Sequence, residues 1–339
     1  MRGYRWRALP SWRVDLAVDL VGALLFAGTA AWVVVAARVA GGAPGPLVDL
    51  LLVTAAAVAA GRLLTVLHDR IVPLAVAAWS GAVALRDFDI LLEGPLRSPL
   101  GYNNATGAFF LVAAAAAFMV AARSTGPVSA LGVGVGLAYA LVPWLNGSLT
   151  AAALVVTLSL AALARHGGTA VRIMLAGGAV AVVAALAATT VVAATFDETD
   201  RSAPVDRLVD ATLTQRRAVL WRDALALLRA RPAFGVGVGQ FGQESPTALD
   251  DRDAAWAHNA YLQMGAETGL AGLALAVAIV LWGFARLWWS PLDGATAVAG
   301  LALAAVGVHA VIDYVLHFPE VPLAAAGLVG AGSAGGRRP

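Results

Sequence analysis

The chain has 339 residues, of which 60% are hydrophobic and only 13% charged, and its mean hydropathy is +0.78. Soluble globular chains are about half apolar and a quarter charged, so this composition excludes a soluble enzyme, a disordered chain and a secreted disulfide scaffold. Cysteine is absent, which removes disulfides, thiolate metal sites and thiol nucleophiles. The net charge of +2 says little, because all 23 basic residues are arginines and where they stand matters more than their sum.

A bilayer span takes about 20 mostly apolar residues, and stretches of that kind fill most of the chain. After an arginine-bearing stretch at 1–13, Leu16–Ala37 reads as a retained first span, since its apolar run is long for a signal peptide. Leu47–Thr65, Ile71–Leu85, Ala105–Ala122, Val128–Leu145, Leu149–Ala164 and Val171–Thr195 follow. A polar break at 196–257 precedes Tyr261–Leu287, Ala295–Phe318 and a short, Gly-rich Val321–Gly332. The predicted architecture is all-α and polytopic, a single membrane domain over 1–339 with about ten transmembrane helices. With the N-terminus inside, the inner connections hold twelve arginines and the short outer ones only Arg38, Arg86 and Arg97. That bias obeys the positive-inside rule and places the polar segment on the extracytoplasmic side.

Within that segment, 206–231 contains no Gly or Pro, sits between Pro204 and Pro232, and reads as a helix. Val209, Leu213, Leu220, Ala224, Leu227 and Leu228 share one face, with Arg207, Arg222 and Arg229 opposite. Such a helix is expected to lie along the membrane surface. Arg216 and Arg217 interrupt the apolar face, either snorkelling to lipid phosphates or pointing into an anionic site beneath the helix. The Gly-rich turn that follows fits GxGxxG at Gly237, Gly239 and Gly242, but no strand precedes it, as a dinucleotide fingerprint requires. Its glycines instead let the backbone pass close to another element or ligand.

Two polar stripes enter the membrane from this side. Asn259, Gln263 and Glu267 fall at i, i+4 and i+8, with His258 just ahead of them; polar and ionisable groups at that depth face the protein interior or a water-filled cavity. His258 has a side chain able to accept a proton near neutral pH, or else it caps the helix. His309, Asp313 and His317 repeat the spacing on the ninth span. Spread over two turns, about 12 Å, the three cannot all reach one ion, so Asp313 is expected to orient or pair with a neighbouring His or Arg. Earlier, Gly101 and Asn104 form a turn into the fourth span. No basic patch interleaved with aromatics speaks for nucleic acid.

The ordered set Arg217-xxx-Trp221-xx-Ala224-Leu225, Pro232-xx-Gly235-x-Gly237-x-Gly239-x-Phe241, His258-Asn259-x-Tyr261-Leu262-Gln263-xxx-Glu267-Thr268-Gly269-Leu270-x-Gly272-Leu273 and His309-xxx-Asp313-xxx-His317-Phe-Pro319 resembles the bacterial O-antigen ligase and polymerase family. Gly101-Tyr102-Asn103-Asn104-Ala105 is similar to an earlier turn of that family, with Asn103 in place of its proline. The resemblance is strong over about 215–320 and looser before it. It implies a GT-C-like fold and a metal-independent, inverting glycosyl transfer with no cofactor, in the cytoplasmic (inner) membrane of a bacterium, on its outer face. The donor would be a glycan on undecaprenyl diphosphate, and the acceptor a hydroxyl of lipid A core, a growing glycan or a protein; membrane lipids surround the site.

In that reading Arg217, at the position of the family's loop arginine, neutralises the departing diphosphate with Arg216 as assistant, and His258 is the general base. Asn259, Gln263 and Glu267 orient groups around it, and Asn104, Asp313 and His317 complete the substrate-binding set. One departure stands out: where the family carries a Ser-Arg-Gly-type motif, this chain reads Gly147-Ser148-Leu149-Thr150, with Leu149 in place of a diphosphate arginine. Two other classes stay open. A transporter or flippase of a lipid-linked anion predicts an inverted repeat with broken mid-membrane helices, for which no persuasive repeat exists. A non-catalytic member of a polysaccharide assembly complex draws its support from Leu149.

Overall fold

In a bilayer every backbone N–H and C=O must be satisfied within the protein, so apolar runs close on themselves as helices. The computed structural model describes residues 11–93, 98–163, 168–196, 215–250 and 255–334. Helices α1 (Ser11–Ala40), α2 (Gly45–Leu67), α3 (Ile71–Arg86), α4 (Phe88–Leu92), α5 (Asn103–Ala122), α6 (Gly126–Leu145), α7 (Leu149–Leu163) and α8 (Gly168–Thr195) precede the polar segment. That segment holds α9 (Gln215–Ala230) and the short α10 (Phe241–Glu244) and α11 (Pro246–Asp250). The chain closes with α12 (Ala260–Trp288), α13 (Gly294–Ile312), a 3-10 turn at Val315–His317 and α14 (Glu320–Ser333).

Among the described residues, seven helices are long and apolar enough to cross a membrane: α1, α2, α5, α6, α8, α12 and α13. The protein is a multi-pass, all-helical membrane protein. The expectation of about ten transmembrane helices includes these seven and three shorter apolar ones. The other three predicted spans are helices of 16, 15 and 14 residues, α3, α7 and α14. Helix α14 is almost wholly buried and runs against α2 at backbone distance: a Cβ on Gly61 would stand 2.3 Å from the Gly327 carbonyl oxygen, and one on Gly330 would stand 2.2 Å from that of Val58. Small residues permit such an approach. Helix α5 lies at the centre, buried on all sides from Ala105 to Val120, as an Ala-rich helix without a polar face must be.

Two helices break where they reach the polar end, and both breaks build the site. Helix α12 is interrupted at Gly269, whose φ of 78° and ψ of −175° are non-helical and suit a residue without a Cβ. The interruption frees backbone groups, and the Gly-rich segment takes them up. Val236 N–H donates to the Ala266 carbonyl at 2.8 Å, Gly237 N–H to that of Glu267 at 3.2 Å, and Leu270 N–H to that of Pro232 at 2.9 Å. The Trp32 indole donates to the Thr268 carbonyl at 2.8 Å. A Cβ on Gly235 would lie 2.3 Å from the carbonyl carbon of Glu267. The glycines therefore do what the sequence suggested, carrying backbone into contact with another element.

The second break corrects the predicted ninth span. Ala295–Phe318 is not one helix: α13 ends at Ile312, and Asp313 is extended, with φ −156° and ψ 172°. His309, Asp313 and His317 consequently do not form a helical stripe. Helix α9 also differs from the surface helix expected over 206–231, whose first residues, 206–214 with Arg207, lie outside the described residues. It packs against α8 and α12, and its buried face is wide enough to include Trp221 and the carboxylate of Asp223.

Candidate functional site

Four separate segments meet around Asp313, whose side chain is only 1% exposed. Its Oδ2 accepts from Arg217 Nη2 of α9 at 2.8 Å and from Asn104 Nδ2 of α5 at 2.5 Å. Its Oδ1 lies 3.2 Å from His258 Nδ1 and accepts from the Tyr314 N–H at 2.8 Å. The Tyr102 hydroxyl, at the start of α5, stands 2.9 and 2.8 Å from the two oxygens. Asn104 is aimed in turn by Ser148, whose hydroxyl donates to its Oδ1 at 2.8 Å.

Burial by itself works to raise the Asp313 pKa, but the hydrogen bond from His258 and the Arg217 charge outweigh it and bring the carboxyl down to about 2. Burial, reinforced by the neighbouring Asp313 charge, pushes the Tyr102 hydroxyl well above the ordinary tyrosine value, so it stays a donor. An ionised carboxylate only accepts. In the neutral ring the nitrogen that His258 shares with it therefore carries the proton and Nε2 keeps its lone pair, the orientation that a carboxylate gives a histidine.

The backbone of His258 is held unusually. Its φ is 49°, a left-handed conformation uncommon outside glycine, and the buried Trp221 donates its indole N–H to the His258 carbonyl at 2.9 Å. Strain of this kind costs on the order of 1–3 kcal/mol and persists where neighbours over-determine it. The following residue does the same from the other side: Asn259 caps α12, its Oδ1 accepting from the N–H groups of Tyr261 and Leu262 at 3.1 and 2.9 Å.

The expected polar stripe on α12 is present, and it faces inward. Gln263 accepts from the Ala257 N–H at 3.1 Å and donates to Glu267 at 3.0 Å. Glu267 accepts from the N–H of Gly239 at 2.8 Å and of Phe241 at 3.4 Å, so it holds the Gly-rich segment. Asn259, Gln263 and Glu267 thus fix the backbone on either side of His258, whereas the ring itself is oriented by Asp313. His309 is buried within α13, and neither ring nitrogen has a hydrogen-bond partner among the described residues. His317 makes no hydrogen bond with Asp313 and packs instead against Trp256, its ring centroid 4.3 Å from that of the indole. Arg216 is exposed. Arg97 lies outside the described residues. Leu149 is 75% exposed; the residue of that motif that reaches the cluster is its neighbour Ser148.

An aromatic group adjoins the cluster. Tyr314 stacks on Tyr102 at 4.7 Å and on Trp256 at 5.8 Å, and meets the His258 ring edge-on at 4.8 Å. Phe318 stacks on Tyr102 at 5.7 Å. Sequence reasoning singled out neither Tyr102, Tyr314, Trp256 nor Ser148. Tyr102 and Ser148 did stand within the quoted motifs, beside Asn104 and Leu149, but were given no role there.

The sequence model of the family described as O-antigen ligase matches residues 108–277, a stretch that holds Arg217, Trp221 and His258; Tyr102 and Asn104 lie just before it, and Asp313 follows it in the chain. No curated protein matches the chain. The match covers half of the sequence and contains Arg217 and His258 of the cluster, and the chain belongs to the O-antigen ligase family.

Proposed function

We propose that the Asp313 cluster is the active site of a glycosyltransferase that moves a glycan from undecaprenyl diphosphate to an acceptor hydroxyl. The observation that carries this reading is that Arg217 and His258 bind the two oxygens of one carboxylate, at 2.8 and 3.2 Å. His258 Nε2 removes the acceptor hydroxyl proton, and the acceptor oxygen forms its bond to the anomeric carbon on the face opposite the diphosphate. The bond from that carbon to the phosphate oxygen breaks with inversion. The negative charge that develops on the departing diphosphate meets the guanidinium of Arg217, a fixed donor fork of the type that stabilises such charge. Asp313 holds both groups and supports the positive charge on His258 after proton transfer.

The distribution of arginines supports an extracytoplasmic site in the inner membrane. At the opposite end of the helices, Arg62 and Arg286 pair with Asp19 at 2.7 and 2.9 Å, and Arg123 donates to the carbonyls of Asp69 and Ala331. In the short connections arginines favour the cytoplasmic side, which supports an outward-facing Asp313 end. The test is transfer in reconstituted vesicles from an undecaprenyl-diphosphate-linked glycan, with chelator present. The native protein should transfer, and His258→Ala should be folded by circular dichroism and inactive. Near-normal transfer by that variant refutes the assignment.

A further inference from the structure

Beside the cluster, between the Gly-rich segment and the residues that lead to His258, lies an open cleft of about 260 Å³ lined by Gly239, Gly242, Gln243, Ala255, Trp256 and Glu267. The reaction described above uses none of these side chains. We propose that this cleft is a saccharide subsite, binding a sugar unit next to the one that reacts; the inference rests on the transferase reading for its purpose but not for its chemistry.

Three features carry it. First, Trp256 is 36% exposed although its ring is held in place, stacked on Tyr314 at 5.8 Å and against His317 at 4.3 Å. A fixed aromatic ring at the wall of a cleft offers the flat apolar surface on which the C–H face of a pyranose packs, and large rigid rings do so at low entropic cost. Second, the cleft has a polar floor. The Glu267 carboxyl accepts from Gly239 N–H, Phe241 N–H and Gln263 Nε2, three donors on a group with about four acceptor positions. One position remains for a sugar hydroxyl, and the exposed Gln243 amide offers both a donor and an acceptor at the rim. A few polar groups in an otherwise apolar concavity define a small-ligand site. Third, Gly239, with φ 72°, has nothing within 4 Å of where a Cβ would stand, so a ligand can approach the backbone directly.

The position of the cleft fits a chain of sugars. Trp256 and His258 are linked through Tyr314 by ring-to-ring steps of 5.8 and 4.8 Å, a separation that a short oligosaccharide bridges. A glycan seated on Trp256 therefore extends past Tyr314 to the base. Saccharide chemistry is shared by the donor glycan and by a glycan acceptor, and the experiment separates them.

The measurement is saturation-transfer NMR on the full-length protein in nanodiscs. One probe is the oligosaccharide released by mild acid from the lipid-linked pool of the producing cell; the other is the delipidated oligosaccharide of its envelope glycolipid. Undecaprenyl diphosphate binding is the control. At least one oligosaccharide should bind, and which one does assigns the subsite to donor or acceptor. Trp256→Ala should weaken that binding about tenfold, Trp256→Phe should restore most of it, and Ala255→Trp should block it by filling the cleft from its exposed wall. Undecaprenyl diphosphate binding should be unmoved in all three. The proposal is overturned if the native protein binds neither oligosaccharide, if Trp256→Ala and Ala255→Trp bind as the native protein does, or if sugar and undecaprenyl diphosphate binding fall together. Sugar binding with the expected variant pattern in a protein that transfers nothing would sink the transferase reading and leave the subsite standing.

Discussion

Trp221 and His258 are joined side chain to backbone: the fully buried indole donates to the His258 carbonyl at 2.9 Å, and that histidine alone among the described non-glycine residues has a positive φ, 49°. The bond fixes a conformation that the residue would otherwise leave. Trp221→Phe keeps an aromatic ring in the core and deletes the donor. A buried carbonyl left without its partner costs about 1–3 kcal/mol, so a measurable fall in melting temperature is expected. Because the ring of His258 is then less well aimed at the acceptor, kcat should fall by about one to two orders of magnitude with little change in donor KM. Native kcat in a variant of lowered stability would show that the indole serves packing alone.

Arg217 donates one nitrogen to Asp313, and its side chain is 19% exposed; in the proposed reaction the rest of its donor fork meets the diphosphate. Lysine supplies a point charge with no fork. Arg217→Lys is therefore expected to bind undecaprenyl diphosphate at least about tenfold more weakly and to lose roughly 10²–10³ in kcat, the scale of a lost transition-state donor. Binding of undecaprenyl diphosphate at native affinity would remove Arg217 from the diphosphate site.

Asp313→Asn keeps one acceptor oxygen and turns the other into an NH2 that must face donors, either Arg217 and Asn104 on one side or His258 and the Tyr314 N–H on the other. Breaking a buried charge pair from one side typically costs about 3–5 kcal/mol, and transfer should be lost with it. The pH dependence separates this charge effect from simple misfit. The folded carboxyl sits at about 2 against an ordinary 3.8. A depressed pKa contributes stability that is present above the unfolded value and disappears as pH falls through the folded one. The gap in melting temperature between native protein and variant should stay constant from about pH 8 to 5 and narrow below about pH 4. A gap that widens on acidification contradicts the ionised state.

The helices were legible because an apolar run in lipid has one way to satisfy its backbone, and the residues of the site were legible as types. Their roles were less so. Asp313 was read as a helical residue because no Gly or Pro lies between Ile312 and Pro319 to announce that α13 stops. Its partners come from α5 and α9, 211, 209 and 96 positions away, and no local pattern encodes such a meeting. Asp223 shows the same limit. A charge on an amphipathic helix reads as solvated, yet this one is buried and accepts from Ser245 Oγ at 2.6 Å and Thr247 N–H at 3.0 Å, closing α9 onto the segment after the Gly-rich turn.

The break in α12 supplies the last prediction. Gly269 has φ 78°, and a Cβ there would lie 2.4 Å from the Ala233 carbonyl oxygen and 2.7 Å from that of Pro232. Alanine adds the strain of a positive-φ backbone with extended ψ, a region essentially confined to glycine and costing on the order of 1–3 kcal/mol, to a collision that neither carbonyl can relieve without giving up the bonds linking the Gly-rich segment to α12. Gly269→Ala should therefore be destabilised by several kcal/mol and should release that segment, seen as fast amide exchange at Val236 and Gly237. Gly28, inside α1 with nothing within 4 Å of its Cβ position, is the matched control: Gly28→Ala should be neutral or gain up to about 1 kcal/mol from helix propensity. Equal stability of the two variants, or slow exchange at Val236 in Gly269→Ala, would mean that the break in α12 does not depend on glycine, and that the coupling between the Gly-rich segment and the backbone flanking His258 lies elsewhere.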